Sequence, residues 1–374
     1  MSIVKIDQIS LKNFKCHKDL QIDLAKLNIL TGSNASGKSS LIQAILLAFK
    51  SWHEYDRKMI NTNDVYGVNL GIPINIFSED FDEKNIQLGM SLEGKSNKVV
   101  LGLPEEDESE IFFSILNSEE IAVHAGEPNN LKNMQIFFLN AERQGPRVVS
   151  SIKDIQSHFV GYMGENTGYI INVMDRRQKL KGVELPRDLK ISKLDRFSAN
   201  CEEWLNMIIP DTELQCNVDM EKNLTTVQFK NAGEFYLPPS TGFGITYVLP
   251  IIVQALVAST LENTLLIVEN PEAHLHPLSQ SRLGKFLALV ALNGVQAIIE
   301  THSEHVIDGC RIQIAREKMC DGIKLLFFKK VQEKSIYKSI AVREDGDLEE
   351  WPEGFFDQKR QDLRELLEMR RCGN

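Results

Sequence analysis

One stretch constrains this chain more than any other: LNILTGSNASGKSSLIQAILLAF, residues 27–49. An apolar strand runs into a glycine loop, and the loop into an apolar helix. The loop fits G-x-x-x-x-G-K-[ST] through Gly32, Gly37, Lys38 and Ser39. Glycines let backbone N–H groups close around a phosphate, and the start of the following helix favours an anion. Asn34, Ala35, Ser36 and Gly37 supply that cradle, with Ser40 at the start of the helix. Lys38 is placed to reach β- and γ-phosphates, and the Ser39 hydroxyl to ligate Mg²⁺. The stretch therefore predicts a nucleotide site.

Composition narrows the setting. Of 374 residues, 43% are hydrophobic and 25% charged, the balance of an ordinary globular protein with room for two lobes. A net charge of −10 argues against nucleic-acid binding by the surface as a whole. Six cysteines are scattered without a C-x-x-C pair, which predicts reduced thiols rather than zinc or a disulfide framework. The start MSIVKIDQIS carries no signal-peptide pattern, and the apolar run near Val248–Val257 is too short to span a bilayer. The expectation is a cytoplasmic chain without a membrane partner.

Along the chain, two strands precede the glycine loop. Residues 72–140 alternate short β-like runs, IPINIF, NIQLGMSL, KVVLGL, EIAVHA and MQIFFL, which predicts a mostly antiparallel sheet. Residues 151–210 read as mostly helical, followed by the β runs TELQCNVDM and TTVQFK. From residue 244 onward helix and strand alternate, which implies a parallel sheet. IKLLFFKK and KSIYKSIAV read as a closing hairpin, and 357–371 as a final helix. No heptad run interrupts residues 40–240.

Three further segments carry chemistry. TLLIVENPEAHLHP, residues 264–277, ends an apolar strand on Glu269, whose carboxylate can hold Mg²⁺ opposite Ser39. VQAIIETHSEHV, residues 295–306, ends a strand at Thr301-His302. His302 is either a sensor of the γ-phosphate or a capping or surface histidine. PPSTGFGITYVLP, residues 238–250, enters a helix through Ser240, Gly242 and Gly244, either an anion-binding turn or an ordinary glycine N-terminus. The pairs His274/His276 and His302/His305 have metal-like spacing without supporting acids or cysteines.

Taken together, these segments resemble the ABC-type ATPase heads of the SMC, RecF and OLD-nuclease group. ISLKNFKCHKDLQIDLAKLNILTGSNASGKSSLIQAIL resembles the opening of that group with its Walker A loop. TLLIVENPEAHLHP resembles Walker B and the D-loop region, ETHSEHVI the histidine switch, and STGFG at 240–244 the signature motif. FLNAERQGPR, residues 138–147, resembles the end of the first lobe, with Gln144 as the Q-loop residue that would join Ser39 and Glu269 at the metal. EDGDLEEWPEGFFDQ resembles a tail of stand-alone bacterial ATPases, some from anti-phage defence neighbourhoods.

The resemblance implies an α/β ABC ATPase head: an antiparallel β lobe, a parallel-sheet P-loop core and an inserted helical subdomain, without a long coiled coil. Lobe I with Walker A would span 1–150, the insert 151–235, lobe II 236–345 and a C-terminal tail 346–374. It further implies ATP and Mg²⁺ as cofactors, and a homodimer sandwiching ATP between Walker A of one copy and the signature of the other. The implied role is a dimerising switch that gates a protein effector in nucleic-acid or defence work, with DNA or RNA as a direct ligand in some relatives. A RecF-type repair ATPase and an OLD-like nuclease are the alternatives. Only 72 residues (374 − 302) follow His302, too few for a separate nuclease domain, and Asp345 and Asp347 read as a turn pair more readily than as a metal site. One departure matters: the usual acidic pair before proline is Glu269-Asn270 here. Asparagine cannot take a proton, so hydrolysis is either slow or served by Glu272 or another group. The basic stretch 175–190 is the densest candidate for nucleic acid, and Trp351, Phe355 and Phe356 are expected to pack on lobe II.

Overall fold

The computed structural model describes residues 4–79, 84–104, 111–127, 129–152, 158–180, 182–231, 233–240, 242–332 and 334–372. Two six-stranded sheets and one smaller sheet carry the fold. The first sheet is antiparallel and runs in the order His17–Asp23, Ile6–Phe14, Asn85–Leu92, Lys95–Gly102, Phe112–Ile115, Met59–Asn61. Its strands alternate between core and solvent. Ile9 and Leu11 point inward, while Ser10 and Lys12, which alternate with them, are exposed.

The second sheet runs Lys334–Ile340, Ile323–Val331, Leu27–Gly32, Gln296–Glu300, Thr264–Glu269, Gln135–Leu139. All neighbours are parallel except the edge hairpin 323–340. The central strands are buried on both faces, so they read as continuous apolar runs rather than alternating ones. Alternate residues feed two cores. Leu30, Leu265, Ile267, Ile298 and Phe328 join the helix Lys38–His53 on one side. Ile29, Leu266, Val268, Ile299 and Phe327 join the helices Phe243–Ala258, Pro277–Leu292 and Glu304–Arg316 on the other. Each fully buried aliphatic side chain contributes about 1.5–3 kcal/mol. The last two helices meet through glycines. A Cβ on Gly284 would lie 2.2 Å from Val306 O, and one on Gly309 2.0 Å from Ser281 O.

The third sheet, Thr212–Asp219, Leu224–Asn231 and Phe235–Tyr236 with Ser150–Ser151, packs with the helices Thr167–Lys179 and Phe197–Ile208. The longest helices have 16 residues, so no long coiled coil leaves the head among the described residues.

Three expectations for residues 72–140 are corrected. IPINIF forms a short 3-10 turn, Pro73–Ile76, because proline is favoured at a first helical position. EIAVHA lies in the helix Ser118–His124, where Glu119 and Glu120 sit favourably in the first turn. MQIFFL is a strand, but it pairs with Thr264–Glu269 in the parallel sheet. The acidic stretch near 105–110 lies outside the described residues.

Candidate nucleotide-binding site

The glycine loop joins the carboxyl end of Leu27–Gly32 to the helix Lys38–His53. Its backbone needs glycine where it has glycine. Gly32 has φ 135°, and a Cβ there would fall 2.0 Å from Phe328 O. Gly37 has φ 103°, and a Cβ there would meet Ser335 Oγ at 2.5 Å and His17 Cε1 at 2.7 Å. Ala35 also adopts a left-handed φ of 58°. The hairpins on either side brace the loop: Ser335 Oγ donates to Ser36 O at 2.6 Å, and His17 Nε2 lies 3.0 Å from Gly37 O.

Lys38 is buried and folds over its own loop. Its ammonium donates to Gly32 O at 3.0 Å and Ser33 O at 2.9 Å, and lies 3.7 Å from Glu300 Oε1. Burial lowers its pKa below the ordinary lysine value, and Glu300 counters part of that. The Ser39 hydroxyl lies 3.4 Å from both Glu300 oxygens. Ser36 Oγ is buried without a hydrogen-bond partner among the described residues, while Ser33, Asn34 and Ala35 are exposed. Amides at a helix start, a loop lysine and a hydroxyl beside a carboxylate are the donor set that a nucleoside triphosphate with Mg²⁺ requires, so these residues fit that group.

The second sequence element arrives on the strands beside the loop. Glu269 and Glu300 are paired in register at the carboxyl ends of adjacent parallel strands. Glu269 Oε2 accepts the Ala141 N–H at 3.2 Å. Burial, reinforced by Glu300, pushes the Glu269 carboxyl up to about 7, against the pull of the Ala141 amide and Arg143. Asn270 has a left-handed φ of 43°, which asparagine tolerates better than most residues, and donates its N–H to Glu300 O at 2.9 Å. Glu272 accepts the Thr301 hydroxyl and the His302 N–H, each at 2.7 Å. It thereby fixes the histidine loop. His302 is exposed and lines a cavity of about 500 Å³ with Thr31, Gly32, Ser33, Phe327 and the tail residue Glu353.

Two residues at this site were not singled out in the sequence. Glu300 precedes Thr301-His302, and its place beside Lys38 and Ser39 follows from strand order. Arg143 stands beside the expected Gln144. It is 1% exposed and donates to Asn140 O at 3.0 Å, Glu269 O at 2.7 Å and Asn270 O at 2.5 Å. Burial lowers its pKa to about 10, still charged at neutral pH. Gln144 itself lines a different, small cavity with Gly164, Thr167, Thr246 and Pro250, and its N–H donates to Met163 O. Beside Glu269 stands Arg143 instead, which donates to that residue's backbone carbonyl and, as a cation, does not take over the metal-binding role expected of Gln144.

Ser240 and Gly242 are exposed, and Gly242 caps the N-terminus of Phe243–Ala258. Phe243, Tyr247 and His274 form an aromatic cluster, with Arg143 over Tyr247 at 5.5 Å. His276 caps Leu278 N, and Ser303 Oγ caps the helix that contains His305. Asp345 and Asp347 form a turn. Asp345 Oδ1 accepts from Asp347 N, while Arg311 bonds Asp347 Oδ1 and Gly346 O. Among the described residues no group of three or more His, Cys, Asp or Glu is arranged to hold a metal ion. In the tail, Phe355 is buried edge-to-face on Phe327, whereas Trp351 is 57% exposed, its ring set between the edge of Phe355 and the Arg311 guanidinium. Arg176, Arg177 and Lys179 of the basic stretch lie in the last turn of Thr167–Lys179. No described helix is long and apolar enough to cross a membrane.

Comparison with known proteins agrees with this geometry. Residues 27–308 match the family described as "AAA domain, putative AbiEii toxin, Type IV TA system". Residues 320–366 match a second family, described as a protein of unknown function (DUF3696). Among curated proteins, the chain is 23% identical over 193 residues to the DNA double-strand break repair Rad50 ATPase of Archaeoglobus fulgidus, covering 48% of this chain and 20% of that one. It is 29% identical over 192 residues to Protein ea59 of Escherichia phage lambda, covering 48% of this chain and 33% of that one. It is 28% identical over 130 residues to the DNA replication and repair protein RecF of Bacillus cytotoxicus, covering 34% of this chain and 32% of that one. These matches span a fifth to a third of the relatives' lengths. Among solved structures, an SMC head bound to the C-winged helix domain of ScpA aligns with TM-score 0.54 at 13% identity, covering 90% of this chain and 98% of that one. A Pyrococcus furiosus SMC head with an extended coiled coil, bound to the C-terminal domain of ScpA, aligns with TM-score 0.53 at 12% identity, covering 97% and 100%.

Proposed function

Because the chain belongs to the AAA-domain family and has the fold of SMC-like ABC ATPase heads, we propose that it is a cytoplasmic ATP-binding and ATP-hydrolysing switch that dimerises about its nucleotide. The observation that carries this reading is the convergence of Lys38, Ser39, Glu300 and Glu269 at the carboxyl ends of three adjacent parallel strands. Ligands of open α/β sheets bind at that edge. The loop amides and Lys38 would hold the terminal phosphates, and Ser39 with the two carboxylates would hold the metal. Bound Mg²⁺ would offset charge on the phosphates.

Ser240 and Gly242, both exposed beside a helix N-terminus, support a dimer, since a second copy can present them to this loop. Glu272 ties the histidine loop to the segment carrying Asn270, and Arg143 ties that segment to Tyr247 of the signature helix. A change at the phosphates thus has a short physical route to the dimer face. Asn270 takes the place of a proton-accepting residue, which favours slow turnover and a long-lived closed state. The relatives named for double-strand break repair and replication repair make DNA, or an effector acting on DNA, the favoured partner, with defence as the setting that the family description suggests.

The test is the size of the purified protein without nucleotide and with ATP·Mg²⁺, with turnover followed in the same samples. An ATP-dependent dimer with slow turnover is expected. A monomer indifferent to ATP, or a species that binds none, overturns the reading.

A further inference from the structure

We propose that Glu300 is the positioning residue that aims the Ser39 hydroxyl at the metal of the nucleotide site. This inference rests on the nucleotide-binding reading and goes one step deeper. A hydroxyl that gives a lone pair to a cation must turn its proton away, and that proton needs an acceptor. Ser39 Oγ has one: both Glu300 oxygens lie 3.4 Å from it.

Strand order explains why the acceptor is Glu300. Gln296–Glu300 pairs directly with Leu27–Gly32, whereas Thr264–Glu269 lies one strand farther out. That is a step of about 4.8 Å. Glu269 is also engaged elsewhere. Its carboxylate accepts the Ala141 amide, and its carbonyl accepts from Arg143. Glu300 is 6% exposed, and the cation it faces is Lys38 at 3.7 Å. Its backbone carbonyl holds Asn270 N, and Thr301 beside it bonds Glu272. The Glu300 carboxylate therefore sits on a strand end beside Lys38 and Ser39, and it also meets the Glu269 side chain. Glu269 remains the outer of the two carboxylates, one strand farther from the loop.

The experiment is calorimetric titration of the full chain with ATPγS, with and without Mg²⁺, on wild type, Glu300→Gln, Glu269→Gln, Ser39→Ala and the Glu300→Gln/Ser39→Ala double variant. In Glu300→Gln the metal-free affinity is expected to hold or rise, because a negative charge beside the phosphates is gone. The gain in affinity on adding Mg²⁺ is expected to fall by about tenfold or more, as for loss of the partner of a metal ligand. Ser39→Ala is expected to lose the same gain, and the double variant no more than either single one, because the two act as a unit. An unchanged Mg²⁺ gain in Glu300→Gln, additive losses, or a loss confined to Glu269→Gln overturns the proposal. So does an unchanged gain in Ser39→Ala, which is informative even if the Glu300 variant does not fold. A wild type that binds ATPγS without any Mg²⁺ gain overturns this inference alone. A wild type that binds no ATPγS at all sinks the nucleotide reading as well.

Discussion

Replacing Arg143 by methionine should cost about 3 kcal/mol of stability, a net figure from charge-assisted bonds set against cation desolvation. The guanidinium donates to three backbone carbonyls, those of Asn140, Glu269 and Asn270, and lies over the Tyr247 ring. Charge-assisted hydrogen bonds contribute about 1.5–3 kcal/mol each, or roughly 4–9 kcal/mol for three. Against that stands the desolvation of a buried cation, several kcal/mol by its effective penalty. Arg143 Nε is also buried without a partner among the described residues, which costs roughly 1–3 kcal/mol more. Methionine recovers both costs and keeps much of the apolar stem, but takes the guanidinium donor from three carbonyls, of which Asn270 O keeps the Ala273 amide at 3.2 Å. Urea unfolding of wild type and Arg143→Met measures the difference. Arg143→Lys should recover less than half of the loss, because an ammonium is a point charge without the planar fork. If Arg143→Met falls within about 1 kcal/mol of wild type, less than a single charge-assisted bond, the claim that this residue ties the Asn270 segment is wrong.

Four other perturbations follow from the same geometry. Asn270→Glu should raise steady-state ATP turnover by about tenfold or more if the position lacks only a base, and an unchanged rate would remove that argument. Glu272→Gln should lower turnover about tenfold while leaving nucleotide affinity within about twofold, since misplacing a reacting group costs rate more than binding; a loss of affinity alone would contradict it. Gly37→Ala should abolish ATP binding in a titration, because its Cβ would collide with Ser335 and His17 at a left-handed φ; wild-type affinity there would mean that the loop is pliable. Gly309→Ala should lower the unfolding midpoint by forcing apart two close-packed helices, at about 2 kcal/mol, and a neutral result would show that the helix pair can slide.

The legible parts of the fold were those whose signal is local. LNILT, TLLIVE and QAIIE read as buried strands because they are apolar on both faces, and Lys38 and Ser39 could be named because the loop chemistry is contiguous in sequence. EIAVHA was misread because so short an apolar run, Ile121–Val123 between polar residues, fits a strand and a short helix equally well. MQIFFL was read correctly as a strand and placed in the wrong sheet, since its partner lies some 130 residues away. Glu300 and Arg143 escaped for the same reason. Nothing within their own segments marks them, and their roles come from which strand lies next to which.

That strand order also sets a clock on assembly. Gly32 is paired with Phe328, and Leu30 with Glu300. Ribosomes add about 5–20 residues per second, so roughly 15–60 s separate the emergence of the glycine-loop strand from that of both its neighbours. During that interval the antiparallel sheet, drawn from residues 6–115, can close on its own, while Leu27–Gly32 waits with two unpaired edges. The glycine loop is made well before the strands that wall it, so a chain halted before residue 323 carries the loop sequence without the full sheet that shapes it.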